Sequence, residues 1–411
     1  MNINISRLQQ RIDDLAGLSD NTGAGVTRVI FSDADMQARA VMKKLASNLD
    51  LLVREDAVGN LFMRWEGSEP DRKSVATGSH IDAIPHAGKF DGVVGVLGAL
   101  EAVNSLQEDG YRPKRSIEVI SFTSEEPTRF GIGCLGSRIL SGSLSAPSAS
   151  ALKDDDGVTL GEWLQRRGFA ENTLDSARLV NGVYDAFVEL HIEQGPRLEA
   201  EDLDIGIVDR IAGPSTTRVV LKGAGGHAGA VMMSERNDTL AAAGEIILAA
   251  ERVARESESP HTVATVGKLN NFPNAVNSIP REVLLEIDLR DTDPDSWRGA
   301  LESLNGEIQE ISSRRGVDCI LHRINEDPPA ICDPDLVMQI SELSTALGYS
   351  HKIIPSHAYH DSLFMAQICP TTMIFIPSRD GISHTPEEYS TPEQIQKGVA
   401  MLAGILRARS E

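Results

Sequence analysis

Glu125 and Glu126 stand side by side where the apolar run SIEVISF gives way to TSEEPTRF, just ahead of Pro127. Adjacent carboxylates repel unless a cation or a proton is at hand, and the proline keeps a strand from simply continuing. Taken alone, the pair reads as two charges in a solvated loop, because such residues are usually exposed. Other residues of the same chemical kind change that reading. His80 and Asp82 close an apolar run in GSHID, and Asp91 opens the helix that follows. His191 ends another run in VELHIEQGP, and His384 follows TMIFIPS in GISHTPEEY. One histidine of this sort is more often structural than a ligand; several at one edge of a sheet are harder to dismiss.

Histidines and carboxylates in this mixture suit divalent zinc, manganese or cobalt. Two such ions roughly 3.5–4 Å apart can share one carboxylate and activate a water near neutral pH. The glutamate pair then divides its labour: one binds metal while its neighbour stays free to take the water's proton. Spacing alone does not say which does which.

The elements that must position these residues follow from hydrophobic periodicity. From Leu51 to about Leu190, strand-like runs alternate with helical patterns: SVATGSHID, then Val93, Val96, Leu97, Leu100 and Val103 at helical spacing, then SIEVISF. That alternation predicts an α/β catalytic domain with a mainly parallel sheet, whose active residues sit at the carboxyl ends of the strands. Between about Gly213 and Ile324 the order changes to β-α-β-β-α-β, the ferredoxin-like split motif, which is self-contained. In its strand EVLLEIDLR, Val283, Leu285, Ile287 and Leu289 share one face and Glu286, Asp288 and Arg290 the other. The expected organisation is a catalytic domain over 1–211 and 326–411, interrupted by an α+β lid or dimerisation domain over 212–325.

With 60 acidic against 39 basic residues the formal charge is −21, which disfavours nucleic acid or an anionic membrane as partner. An anionic substrate needs its own local cationic pocket. The amino-terminal residues Ile5, Leu8, Ile12 and Leu15 read as one face of an amphipathic helix and not as a signal peptide. Every apolar stretch is broken by a charge before membrane-spanning length. Cys134, Cys319, Cys332 and Cys369 lack paired spacing, so buried thiols in a reducing, cytoplasmic compartment are expected.

The motifs GSHID, FDGVVGVLGALEA, TSEEPTRFGIGCLGSR, ELHIEQGP, GGHAGA, NSIP, DLRD, HDS and SHTPEEY span almost the whole chain. Together they resemble the dinuclear-metal amidohydrolases that cleave ureides and N-carbamoyl amino acids, relatives of aminoacylases and metallocarboxypeptidases. The resemblance implies that His80, Asp91 and His191 bind metal with Asp91 bridging, and that Glu126 and His384 complete the second ion's shell. It makes Glu125 the general base and Asp82 the carboxylate orienting His80, as ligating histidines usually require. Two ions are implied, manganese foremost, with zinc and cobalt as alternatives.

The same resemblance assigns Arg290 to a substrate carboxylate, with Asn277 as its partner; from pattern alone Arg290 is a solvated charge. It makes His227, in the glycine-rich KGAGGHAGAV, a donor to the developing oxyanion from the neighbouring subunit, hence a homodimer through the inserted domain. Tyr359, His360 and Ser362 in HAYHDSLF are expected to shape the substrate pocket, with core packing an equal reading of Tyr359. Gln194 either touches substrate or makes a structural hydrogen bond. Gly226 and HAYHDS stand where members acting on allantoate or N-carbamoyl amino acids carry an asparagine before HAG and a GAGHDA-like loop. That departure favours ureidoglycolate, cleaved to glyoxylate, ammonia and carbon dioxide. Allantoate and N-carbamoyl-L-amino acids are the alternatives, and dipeptides a weaker one. A catalytically silent binding protein would lack a ligand or the base, and here every such position is filled.

Overall fold

The computed structural model describes residues 2–169 and 171–411. The chain divides into two compact units, one running to Asp209 and resuming over Ile331–Glu411, the other spanning Arg210–Ala330. The sequence placed these divisions after Ile211 and Asn325. The second falls later because strand Asp318–Glu326 stays paired with Gly213–Lys222 up to Glu326 opposite Ser215.

At the centre of the larger unit, Thr371–Ile376, Tyr184–Ile192, Ser74–His80 and Ile117–Phe122 lie side by side and parallel. Ser74–His80, Ile117–Phe122 and Thr371–Ile376 are buried at every position. A parallel strand covered on both faces is expected to read as a continuous apolar run. The sheet is mixed at its flanks: Ile205–Ile211 runs antiparallel to Thr371–Ile376, and Leu61–Trp65 antiparallel to Ile117–Phe122, with Leu52–Glu55 antiparallel beyond it. The connection from Glu55 to Leu61 is too short for a parallel crossover, which takes a dozen residues or more.

Helix Val93–Glu108 is buried all round from Val93 to Leu106, as an interior helix must be. It packs against Pro392–Ser410, where the methyl of Val399 leaves only 3.0 Å for a Cβ on Gly98. Pro392–Ser410 starts on a capping box, the Thr391 side chain accepting from Gln394 N while the Gln394 side chain accepts from Thr391 N. The amphipathic helix read at the amino terminus is Ile5–Ala16, burying Leu8, Ile12 and Leu15.

In the smaller unit the strand order is Val263–Phe272, Glu282–Asp291, Gly213–Lys222, Asp318–Glu326, all antiparallel. Its core joins Val219, Leu221, Val283, Leu285, Ile287 and Leu289 to Ile246, Leu304 and Ile308 of helices Thr239–Glu256 and Pro294–Arg315. This is the ferredoxin-like arrangement of the split motif. Among the described residues no helix is long and apolar enough to cross a membrane. The four cysteines are free thiols, three of them buried and Cys319 half-buried on a sheet edge.

The Phe187 side chain is fully buried, its ring 5.8 Å from that of Phe122 and nearly perpendicular to it. Phe187→Ala should cost about 3–5 kcal/mol, seen as a lower denaturant midpoint of the larger unit; an unchanged midpoint would refute this packing account.

Candidate metal centre

Strand register brings the chemistry together. His80 is the last residue of its strand and pairs with Phe122, whose strand leads into Glu125 and Glu126. His191 pairs with Phe375 of the strand that leads to His384. Four parallel strands therefore deliver their carboxyl ends to one edge, the usual place for a site in such a sheet. The loop turns there are tight: Ser124, Gln194 and His384 all have φ between 55° and 61°, a region non-glycine residues seldom occupy.

Asp91 lies at the middle. Its Oδ1 is 3.2 Å from His191 Nε2 and 3.5 Å from His80 Nε2, and its Oδ2 is 3.3 Å from His384 Nε2. Glu126 Oε1 lies 3.3 Å from that same His384 nitrogen. Three groups among the described residues have donor atoms close enough to hold an ion: His80–Asp91–His191 and Asp91–Glu126–His384, which share Asp91, and the fully buried Glu189–His191–His360, which shares His191. Glu125 stands in none of them, with Oε2 3.6 Å from His80 Nε2.

The donor atoms fit divalent cations. His80 Nδ1 faces the main-chain oxygen of Asp82 at 3.1 Å, and His191 Nδ1 that of Ile192 at 2.9 Å. Each ring proton is thereby held on Nδ1 and the Nε2 lone pair turned inward, as ligating histidines require. His80 Nε2 is buried without a hydrogen-bond partner, an arrangement costly in a protein interior. Hydrogen bonds to Asp91 and Glu126 raise the pKa of His384 to about 11. Burial pulls His80 and His191 down, yet Glu125 and Asp91 around His80, and Asp91 beside His191, outweigh it and leave both raised. The field at all three nitrogens thus favours positive charge, which a divalent ion supplies more strongly than a proton. Burial, with Glu126, Asp361 and Asp91 adding to it against His80, holds the Glu125 carboxyl well above its ordinary range.

Asp82 does more than expected, and through different atoms. Its main-chain oxygen orients His80, while its carboxylate accepts from Glu125 N at 3.2 Å and Glu126 N at 3.1 Å. Gln194 Nε2 donates to Asp91 Oδ2 at 2.7 Å, the structural role left open for it. Half-buried Tyr359 sets its hydroxyl against Gly133, where a Cβ would come within 2.4 Å. His360 is buried with its ring 4.4 Å from that of His191, and burial keeps it well below its ordinary pKa. Ser362 departs from the pocket role read for it: fully buried, it donates from Oγ to Glu189 Oε2 at 2.6 Å, so it serves the core and not a ligand.

His227, Asn277 and Arg290 belong to the smaller unit. His227 sits on a short ladder opposite Ser278, and Ala228 N donates to Asn277 O at 2.9 Å, so His227 and Asn277 are neighbours, both exposed. Arg290 is held by Asp288, Nε to Oδ1 at 2.8 Å and Nη2 to Oδ2 at 3.2 Å. It pairs with Pro214 at the start of strand Gly213–Lys222, whereas the His227 turn follows the other end, where Lys222 pairs with Glu282. Eight residue steps separate Glu282 from Arg290, about 27 Å at the strand rise. Sequence reasoning also passed over Glu388, Glu189, Asp361 and Cys134. All are buried beneath or beside the centre, and Cys134 Sγ donates to Glu125 Oε1 at 3.5 Å. Glu388 and Glu189 lie inside motifs already singled out, and an acid within such a motif was the available signal.

Residues 76–408 match the peptidase family M20/M25/M40, and the chain belongs to that family. Its relatives include the ureidoglycolate hydrolase of Arabidopsis thaliana, 50% identical over 409 residues covering 98% of this chain and 86% of that protein. The crystal structure of AtUAH in complex with glyoxylate aligns with a TM-score of 0.90 at 49% identity, covering 100% of this chain and 98% of that one. A structure of AtUAH with (S)-hydroxyglycine aligns equally well, with the same TM-score of 0.90.

Gly92 has φ 63°, and a Cβ there would lie 2.4 Å from His80 Nε2. Gly92→Ala must displace the imidazole from Asp91, so divalent-ion affinity should fall at least about tenfold, the equivalent of 1.4 kcal/mol of strain. Titration calorimetry of the metal-stripped variant measures this, and wild-type affinity in a folded variant would show that the close approach is not needed.

Proposed function

We propose that this chain hydrolyses the ureido C–N bond of ureidoglycolate, giving glyoxylate, two ammonia and one carbon dioxide per water consumed. The observation that carries the reading is the pair of ligand triads sharing Asp91 with Glu125 left free beside them. The plant relative of that activity, and its complexes with glyoxylate and (S)-hydroxyglycine, support the choice of substrate. His80, Asp91 and His191 would hold one ion, and Asp91, Glu126 and His384 the other. Manganese is our choice of ion by the resemblance to ureide hydrolases, with zinc and cobalt as alternatives, since these donor types suit all three. When bound, such a pair polarises a carbonyl and makes water a nucleophile near neutral pH.

The chain's own residues then act as follows. Glu125 takes a proton from the attacking water and delivers it to the departing nitrogen, while the Asp82 carboxylate keeps the main chain of both glutamates still. Ammonia leaves, the resulting carbamate loses carbon dioxide, and the remaining 2-hydroxyglycine breaks down to glyoxylate and a second ammonia. Arg290 takes the substrate carboxylate in a bidentate grip, exchanging Asp288 for it. His227 donates to the oxyanion.

Because Arg290 and the His227–Asn277 turn occupy opposite ends of one sheet, we place His227 and Asn277 in the site of a second copy, in a homodimer built through Arg210–Ala330. Exposed Met232, Met233 and Val276 around that turn fit a surface covered by such a copy. Free thiols fit a reducing, cytosolic setting.

Ammonia release from ureidoglycolate, allantoate and N-carbamoyl amino acids, after metal stripping and reloading with manganese, zinc or cobalt, tests the assignment; ureidoglycolate should be turned over fastest. Glu125→Gln should keep its metal and lose about 100- to 10,000-fold in kcat; near-normal turnover would remove Glu125 as the base. His227→Ala should lose about 100- to 1000-fold. Dissociating and remixing the two inactive variants should restore part of the activity, because one site of a mixed dimer would then carry both native residues. No recovery in verified heterodimers would refute the shared site.

A further inference from the structure

Among the carboxylates that sequence reasoning passed over, Glu388 stands apart because it touches both loops that meet at the second triad. It is 4% exposed. Its Oε1 accepts from the main-chain N–H of Phe90 at 3.0 Å and of Asp91 at 3.1 Å. Its Oε2 accepts from Ser383 Oγ at 2.8 Å, and that hydroxyl is also 3.0 Å from Asp91 Oδ2. One carboxylate therefore grips the residue before Asp91, Asp91 itself and the residue before His384. A second contact joins the same two segments, the edge-to-face pair of Phe90 and Tyr389 with ring centroids 5.9 Å apart. Space is reserved for the clamp: a Cβ on Gly88 would come within 2.2 Å of Glu388 Oε1.

The two triads differ in how firmly they are held. His80 and His191 are buried at strand ends, with each Nδ1 fixed by a main-chain oxygen. His384 follows a loop, its side chain is 47% exposed, and its φ is 61°. No strand ladder fixes its distance from Asp91; the loop is tied there by Ser383 Oγ, which reaches both Asp91 Oδ2 and the Glu388 carboxylate that grips the Asp91 main chain.

We propose that Glu388 is a positioning residue for the Asp91–Glu126–His384 triad, setting the His384 loop against the Asp91 main chain so that this triad, and not His80–Asp91–His191, depends on it. The inference rests on the reading that these two triads each hold a divalent ion. Removing the carboxylate frees the loop bearing His384 and leaves the strand-end histidines in place. The amide of glutamine keeps an oxygen for the N–H groups of Phe90 and Asp91 and an NH2 that can donate to Ser383 Oγ.

The test is equilibrium dialysis of metal-stripped protein against manganese, with bound metal counted, alongside circular dichroism. Wild type should take up two ions, and fewer than two would refute the two-ion reading itself. Given two in wild type, Glu388→Ala should retain one at near wild-type affinity and bind the other at least about tenfold more weakly, a shift of 1.4 kcal/mol, with Glu388→Gln recovering most of the loss. Two ions at unchanged affinity in Glu388→Ala, or equal weakening of both, would overturn the proposal. Should Glu388→Ala fail to fold, Ser383→Ala removes the hydroxyl that joins the His384 loop to Glu388 and to Asp91 Oδ2, and must weaken the second ion selectively; unchanged binding there, or equal weakening of both ions, overturns it as well.

Discussion

Asp91 presents one carboxylate oxygen to His80 and His191 and the other to His384, and the rest of the larger unit can be understood as the means of holding it there. A carboxylate so placed has to be buried among like charges. Burial raises its pKa, and only the surrounding histidines bring it well below the ordinary value. Three histidines at one point require three chain segments to end there. Four parallel strands in register provide those ends, and helix Val93–Glu108, buried from Val93 to Leu106, starts two residues after Asp91. The close approach of Gly92 to the His80 ring fixes the direction in which that helix can leave.

Much of this was legible in the sequence because it depends on local periodicity. Ser74–His80 and Ile117–Phe122 read as strands rich in apolar and small residues and ended by a turn, and the polar residues at those ends, His80, Glu125 and Glu126, mark the edge where the sheet stops. The alternation of Val283, Leu285, Ile287 and Leu289 with Glu286, Asp288 and Arg290 predicts a sheet with one covered face, and the smaller unit has it. The antiparallel flanks were not legible. Leu52–Glu55 is exposed at three of four positions, so it lacks the burial that makes a strand visible in sequence. Long-range hydrogen bonds were equally hidden. Neither spacing nor motif could show that the Asp82 carboxylate would reach the N–H groups of Glu125 and Glu126, or that Ser362 would turn to Glu189, since both depend on which loops the register brings together.

The position of Arg290 is instructive for the same reason. Motif reasoning groups residues by the role they would share, whereas an antiparallel ladder fixes their separation step by step. Arg290 opposite Pro214 and Glu282 opposite Lys222 are rigid facts of register, and a one-residue slip would turn the apolar face of the strand to solvent. Register therefore sets Arg290 at one end of the strand pair and the start of the His227 turn at the other. A role shared within a motif does not by itself make two residues neighbours.

The adjacent glutamates express the economy of the site. Glu125 and Glu126 are 7% and 4% exposed, and two such carboxylates would ordinarily push a loop out into water. Here the main chain is secured independently of the side chains: Asp82 accepts both amide hydrogens, and Cys134 N donates back to Glu125 O at 2.8 Å. Ser124 and Cys134 accept left-handed φ values of 55° and 54° to make that possible, strain of a kind that persists only where surrounding contacts over-determine it. The main chain of the loop is thus fixed by contacts that do not use the side chains of the two glutamates. The carboxylates around His80, His191 and His384 raise the pKa of all three, so the field at the site favours positive charge. Side chains carried on a main chain fixed in this way can be held to within a fraction of an ångström, the precision that reacting groups need.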